Sequence, residues 1–525
     1  MRTKQHFTIL IYPFHHLIEG NKKGPSRLSQ LPTHWVHWWN RLTDNQLLDT
    51  LDDTYFFLPY VRKLLFPETN WLSGDATIQA ESARNQFRVL SRKAINEIIL
   101  KDGLIRLTYN PAILKTLQSL ELRFTLGSTS FSASVKIDWI DVFLFPQRVG
   151  FLALKMRIAD HKPPDTARIN DFLYYARQVL PFQRGYKVAT WRCIGTELTE
   201  EFSSQELIDY LLQGFTQESP LNAESFGSFL QAVKTGNTQR RYSLSETGQV
   251  YGMSFRHFTF VCLGENQEDF TYDSNDSLES PDSKTPPLFA SLSEQTLYEL
   301  ATCTDTRDPN YKPHPTGLSQ LMEKAYIAIW DNWQGLALHD SVIFLAIRPT
   351  SFTEKVLPKN VETDYFHLYL LTLYQKVRLS LLAGDIMRER GYLHRNLRAA
   401  KSRQDEFMQF RNHYWFEQVT FKPQGIELYR RFQLGLEILL LYEAVSSELK
   451  DLSEHYERKM EMRTGKLINF LTCVGLPLGI LSNLFSDTIQ KELNQVPLSF
   501  LLGASGVLLV LSILVFYFWN RTLKT

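Results

Sequence analysis

"VKIDWIDVFLFPQRVGFLALKMRI", Val135 to Ile158, reads as two strands folded about a Pro-Gln-Arg-Val-Gly turn, because β-branched and aromatic residues crowd both arms. Further strand text lies downstream, in "YGMSFRHFTFVCLG" (251–264) and "SVIFLAIRP" (341–349). The opening "MRTKQHFTILIYPFHH" has a short apolar centre, but Pro13, His15 and His16 stand where a signal peptide would carry small residues, so it reads as a first strand. Helical patterns such as "TARINDFLYYARQVL" (166–180) separate the strands, which makes residues 1–360 a mixed α and β domain. Within it, Glu265 to Pro287 is acidic and rich in Ser and Pro, with little to bury, and is expected to be a mobile surface insertion.

Composition narrows the partners. The chain has 525 residues, is 44% hydrophobic and 22% charged, and is long enough for two or three buried cores. A formal net charge of +1, with no basic run interleaved with aromatics, argues against nucleic acid as a main partner. The four cysteines, Cys193, Cys262, Cys303 and Cys473, form no CxxC pair, so neither a zinc site nor a disulfide framework is indicated, and a reducing cytoplasm is the expected surrounding.

Candidate chemistry in the first 360 residues is sparse. "DSNDSLE" (273–279) opens like a calcium loop but has Leu278 and Lys284 where the Gly and the closing Glu belong. "HWVHWW" sets His34 and His37 one helical turn apart, but the three tryptophans beside them favour aromatic packing over a metal site. No GxSxG, HExxH or GxxxxGK[ST] occurs, so an enzyme is not the first choice.

The C-terminal part differs. Residues 361–466 read as a helical stalk: Leu434, Ile438, Leu441, Val445, Leu449, Leu452 and Tyr456 repeat at threes and fours, and one helix is expected from about Gly425 onward. An earlier break at "TFKPQG" (420–425) turns the chain back. Leu467–Phe485 and Val496–Trp519 are uncharged runs of about 19 and about 24 residues, which predict two transmembrane helices joined by an outer loop at 486–495, with a cytoplasmic tail at 520–525. Arg458, Lys459, Arg463 and Lys466 before the first run and Arg521 and Lys524 after the second place both termini in the cytoplasm of a cell, by this reading a bacterial inner-membrane protein. Gly465, Asn469, Thr472, Leu476, Gly479, Asn483 and Ser486 fall on one helical stripe of small and polar residues. From the stripe alone, helix packing through Gly475 and Gly479 and the lining of a water-filled pore are both open.

This layout, an α+β domain, a long stalk helix and two C-terminal membrane helices, resembles the CorA divalent-cation transporters. Lys466 and Thr472 stand near the family's Lys and Thr at the inner mouth, and Pro477-Leu478 matches its mid-helix Pro-Leu. The family's Gly-Met-Asn signature falls on Ser486, Asp487 and Thr488 and is absent. The resemblance covers roughly the last 160 residues. It implies a homo-oligomer, five copies in the family, around a pore lined by Asn469, Thr472, Leu476, Gly479, Asn483 and Ser486, with Asp487 and Thr488 at the outer mouth. The residues themselves name no cofactor; the resemblance implies a divalent cation, Mg²⁺ in the family. The first function expected is therefore a cation channel or transporter gated by the cytoplasmic domain. The alternative is an effector, as in antiviral defence, that binds a small cytosolic signal and permeabilises the membrane; a tethered scaffold is the third.

Overall fold

The computed structural model describes residues 1–16, 34–38, 54–67, 103–180, 187–195, 200–216, 225–234, 254–264, 288–472 and 479. The expected hairpin is at its centre. Strand β5 (Thr129–Leu144) pairs antiparallel with β6 (Val149–Ile158), Leu144 opposite Gly150, and the Phe145 N–H donates to Val149 O at 2.8 Å. The turn takes Gln147 and Arg148 at φ 61° and 67°, left-handed without a glycine.

From that hairpin a mixed sheet of 12 strands extends in both directions. The remaining strands are β1 (Thr3–His15), β2 (Trp35–His37), β3 (Ile105–Tyr109), β4 (Ser119–Leu126), β7 (Thr190–Cys193), β8 (Glu201–Ser203), β9 (Arg256–Leu263), β10 (Tyr326–Trp330), β11 (Trp333–Ala337) and β12 (Ser341–Ala346). Their order is β10-β11-β12-β9-β1-β6-β5-β4-β7-β8, with β2 and β3 joined off this path through β5. All pairs are antiparallel except β9 with β12, which run parallel. The expected first strand is β1, and the strand text at 251–264 and 341–349 forms β9 and β12. Every residue of β9 is buried, as a strand covered on both faces requires.

Helices cover the two faces. On one lie α1 (Thr166–Ala176), capped by Asp165, α2 (Ser204–Leu211), which opens with a Ser203/Glu206 capping box, and α3 (Leu292–Thr302). Their apolar residues, among them Ile169, Phe172, Leu207, Leu297 and Leu300, join one core with Leu10, Leu154, Val261 and Ile343. The other face is covered by α4 (Phe366–Leu393). All of its residues from Phe366 to Leu379 are buried, so this stretch is a core helix rather than the amphipathic stalk element expected from 361 onward. Phe258 lies 5.5 Å from both Phe366 and Tyr369, ring to ring.

Three helices follow: α5 (Leu397–Tyr414), α6 (Pro423–Gly435) and α7 (Ile438–Phe470). The break expected at 420–425 is present between α5 and α6. The single helix expected from Gly425 is not: α6 stops at Gly435, and Glu437 takes φ 55° before α7 begins. The apolar stripe itself is real, since Ile438, Val445, Leu449, Leu452 and Tyr456 are all buried.

The chain divides into two compact units, residues 1–387 with 406–445, and residues 388–405 with 446–525. In the second, Leu397, Ala400, Leu449, Leu452, Tyr456 and Met460 line a groove of about 150 Å³, and the Tyr456 hydroxyl donates to Leu393 O.

The expected fold class, with its C-terminal transmembrane helices, and the expected place in a cell membrane are corrected here. Among the described residues no helix is long and apolar enough to cross a membrane. Helix α7 has the length, at 33 residues, but Glu457, Arg458, Lys459, Glu461, Arg463 and Lys466 crowd its later turns, and charges of that density do not enter hydrocarbon. Of the span expected at 467–485 only 467–472 and 479 are among the described residues; the loop at 486–495, the span at 496–519 and the tail lie outside them. The acidic segment 265–287 also lies outside the described residues.

Candidate functional site

Charged and polar side chains converge where β9 and β12 begin. Arg256 is the first residue of β9, and strand alternation puts it on the face of Phe258, toward α4. It is 3% exposed, and its Nη2 lies 3.7 Å from Asp340 Oδ1. Asp340 ends the turn between β11 and β12; its carbonyl accepts the His257 N–H at 3.1 Å, and its carboxylate lies 2.9 Å from His339 Nδ1. Burial alone would raise the Asp340 carboxyl, but His339, Arg256 and Arg177 hold it down to about 2.

Helix α4 supplies Tyr369 and Lys376, seven residues and hence two turns apart on one face. The Tyr369 ring stacks on Phe258 and meets Phe432 of α6 edge-on at 5.6 Å. Its hydroxyl is fully buried and has no hydrogen-bond partner among the described residues. Lys376 is 9% exposed, and among the described residues it makes no ion pair. Its pKa is lowered by burial first and by Arg256, against the pull of Glu437 and Asp340. Glu437 belongs to the left-handed junction between α6 and α7, where its N–H donates to Leu434 O at 3.0 Å. The arrangement is two buried cations and a buried phenol facing two carboxylates of which one is half-exposed and the other exposed.

On the opposite face of β9, His257 Nε2 lies 3.5 Å from Cys303 Sγ, and His257 Nδ1 lies 3.4 Å from Thr259 Oγ1. The spacing suits a thiol nucleophile and its base, but the charges do not. Burial lowers His257 to about 3, with Arg177 adding to the effect, and raises Cys303 to about 11. Both are neutral near pH 7, so the pair is a packed polar contact rather than an activated thiolate.

The residues singled out from sequence fall elsewhere. Asn469, Thr472 and Gly479 are helical and exposed, and the Thr472 hydroxyl donates to Ile468 O at 2.9 Å. Leu476, Asn483, Ser486, Asp487 and Thr488 lie outside the described residues. His34 and His37 are not on a helix: β2 runs through Trp35–His37, so a spacing of three points them to opposite faces. The His34 ring packs 4.9 Å from Tyr109, and burial lowers its pKa to about 4, in line with aromatic packing. Among the described residues no three His, Cys, Asp or Glu side chains are grouped so as to hold a metal ion. The cluster of Arg256, Asp340, Tyr369, Lys376 and Glu437 was not legible in the sequence, because its members come from four separate segments.

No protein-family model matches the chain, and no curated protein matches it.

Proposed function

We propose that the protein is a ligand-responsive switch that works as a homo-oligomer: the sheet domain binds a small cytosolic signal, and the helices after it change position in response. One observation carries this reading. The charged cluster of Arg256, Lys376 and Asp340 adjoins the junction between α6 and α7, where Glu437 holds a backbone conformation that non-glycine residues rarely adopt. A ligand that alters the charge balance there acts on the hinge from which the 33-residue α7 starts. Binding rather than catalysis is the proposed activity, since the best-placed nucleophile, Cys303, is held as a neutral thiol.

The CorA-like arrangement of a sheet domain followed by a long helix supports assembly of several copies, five by that resemblance. Ion conduction is not carried forward, because it needs membrane spans and the described residues contain none.

Amide hydrogen exchange tests the switch. Exchange across residues 431–445 should change when the protein meets the small-molecule fraction of a cell extract, and return on dialysis. No change at the junction would refute the reading, and a monomeric mass in solution would refute the assembly.

A further inference from the structure

The second compact unit brings two imidazoles together from separate helices. His394 follows the last turn of α4, where its N–H donates to Arg390 O at 3.1 Å, and His455 lies on α7. Their ring centres are 5.1 Å apart, with the planes at 89°. The same two helices are joined beside the pair: Arg390 Nε lies 3.2 Å from Glu448 Oε1, and the Tyr456 hydroxyl donates to Leu393 O. Those contacts hold the rings in place. His394 is half-buried and His455 exposed, and among the described residues neither ring makes a hydrogen bond or an ion pair. Each imidazole therefore keeps a nitrogen lone pair available to a ligand.

Imidazole nitrogen selects among cations. It suits Zn²⁺ and its first-row neighbours, whereas Mg²⁺ and Ca²⁺ take oxygen. The spacing fits as well: an ion about 2.0–2.1 Å from one nitrogen of each ring, at the tetrahedral angle, sets the two ring centres about 5 Å apart. Edge-to-face packing has a similar separation, but it leaves the nitrogens unused and predicts no bound ion.

We propose that His394 and His455 form a binding site for a divalent transition cation of the zinc type, with water completing its shell. Two protein ligands are fewer than the three or four of a catalytic or structural zinc centre, so the ion exchanges with solution. When bound, it ties the end of α4 to α7 within the second unit, a third link beside Arg390–Glu448 and Leu393–Tyr456. This goes beyond the switch proposed for the α6–α7 junction and does not depend on it. Nor is the ion the Mg²⁺ that the CorA resemblance implies, since Mg²⁺ takes oxygen ligands.

Titration of the full-length chain with Zn²⁺ in competition with a chromophoric chelator tests this. His394→Gln and His455→Gln should each weaken binding of one Zn²⁺ per chain at least about tenfold, because one imidazole alone holds the ion poorly. His161→Gln, on an exposed position of the first unit, should not change it. Mg²⁺ should not displace the zinc. In the wild type, but in neither of the first two variants, Zn²⁺ should slow amide exchange at 393–396 and 452–458. No zinc binding, or equal binding by the wild type and both variants, overturns the site. Loss in only one variant overturns the shared ion, since a single ring would then be acting alone. Displacement by equimolar Mg²⁺ overturns the nitrogen ligation, and binding with unchanged exchange overturns the tie between α4 and α7. If His394→Gln does not fold, His455→Gln, on an exposed position, decides alone.

Discussion

The main chain at Gly435 packs directly against the carbonyl of Ala337, so closely that a Cβ on residue 435 would overlap that oxygen. This contact fixes the end of α6 on the last residue of β11 and places the junction to α7 beside the turn that carries Asp340. A backbone carbonyl in a sheet cannot move aside as a side chain tip can. Gly435→Ala should therefore cost about 1–3 kcal/mol, as overpacking does, read as a lowered denaturation midpoint with an unchanged slope. An unaltered midpoint would show that α6 lifts from β11 without cost.

The second prediction concerns Arg106 and Asp141. Arg106 Nε and Nη2 lie 2.7 and 2.5 Å from Asp141 Oδ2, and the guanidinium sits over Trp38, 4.1 Å from its ring centre. Asp141 is 1% exposed, so its carboxylate has no solvent to fall back on. Arg106→Met should destabilise the fold by about 3–5 kcal/mol, because it strands a buried charge. The double variant Arg106→Met with Asp141→Leu should recover much of that loss. Equal destabilisation by the single and double variants would mean that the stacking on Trp38, rather than the ion pair, dominates.

Acid should weaken the protein before its carboxylates titrate. His6, His257 and His367 are held at about 4, 3 and 3, against an ordinary 6.5, in each case chiefly by burial, with Arg157, Arg177 and Arg106 adding to it respectively. In the unfolded chain these rings bind protons below about pH 6.5, whereas in the fold they stay neutral. Their contribution is therefore fully present above that pH and is lost as pH falls toward the folded values, by up to about 1.4 kcal/mol per pH unit for each ring. Urea midpoints should be flat above about pH 7 and fall steadily from about 6.5 to 5. His34, which burial lowers to about 4, adds a fourth such ring, so His367→Phe, placed among Phe66, Phe143 and Phe366, should remove about a quarter of that slope. A flat profile down to pH 5 would show that these four rings are reached by water.

What the sequence revealed depends on the range of the forces involved. The hairpin of β5 and β6, the first strand β1 and the apolar stripe of α7 are local patterns, and each was legible from residue type and spacing. The junction at Leu436 and Glu437 was not, because the left-handed residue is a glutamate where sequence rules look for Gly or Asn, and Gly435 yields to Ala337 from a strand almost a hundred residues earlier. The histidines of "HWVHWW" misled for a related reason: a spacing of three reads as one helical turn until β3 claims the segment as its partner strand. Nor could any window have joined Arg256 to Lys376, since only the parallel pairing of β9 with β12 and the burial of α4 bring them together. Uncharged runs at the C-terminus suggested membrane spans, yet the helix leading to them is dense in exposed charge.

The conformation of Glu437 gives the last prediction, and it separates a passive bend from a loaded one. At φ 55° an L-residue brings its Cβ near its own carbonyl, at a cost of about 1–2 kcal/mol that glycine does not incur. Glu437→Gly removes that strain, while the greater freedom of glycine in the unfolded chain takes back about 0.5–1 kcal/mol, so the net stability should rise slightly or stay level. Glu437→Pro imposes a φ near −65° and removes the N–H that Leu434 O accepts, so it should cost about 3 kcal/mol or more and displace the start of α7. Glu437→Gln keeps the strain and removes only the charge that supports Lys376. If the junction is a switch held by charge, Gln should alter hydrogen exchange across 431–445 with little change in global stability, and Gly should quicken that exchange further. Equal exchange in the wild type, Gln and Gly proteins would make the junction a fixed corner of the fold, with no part in any response.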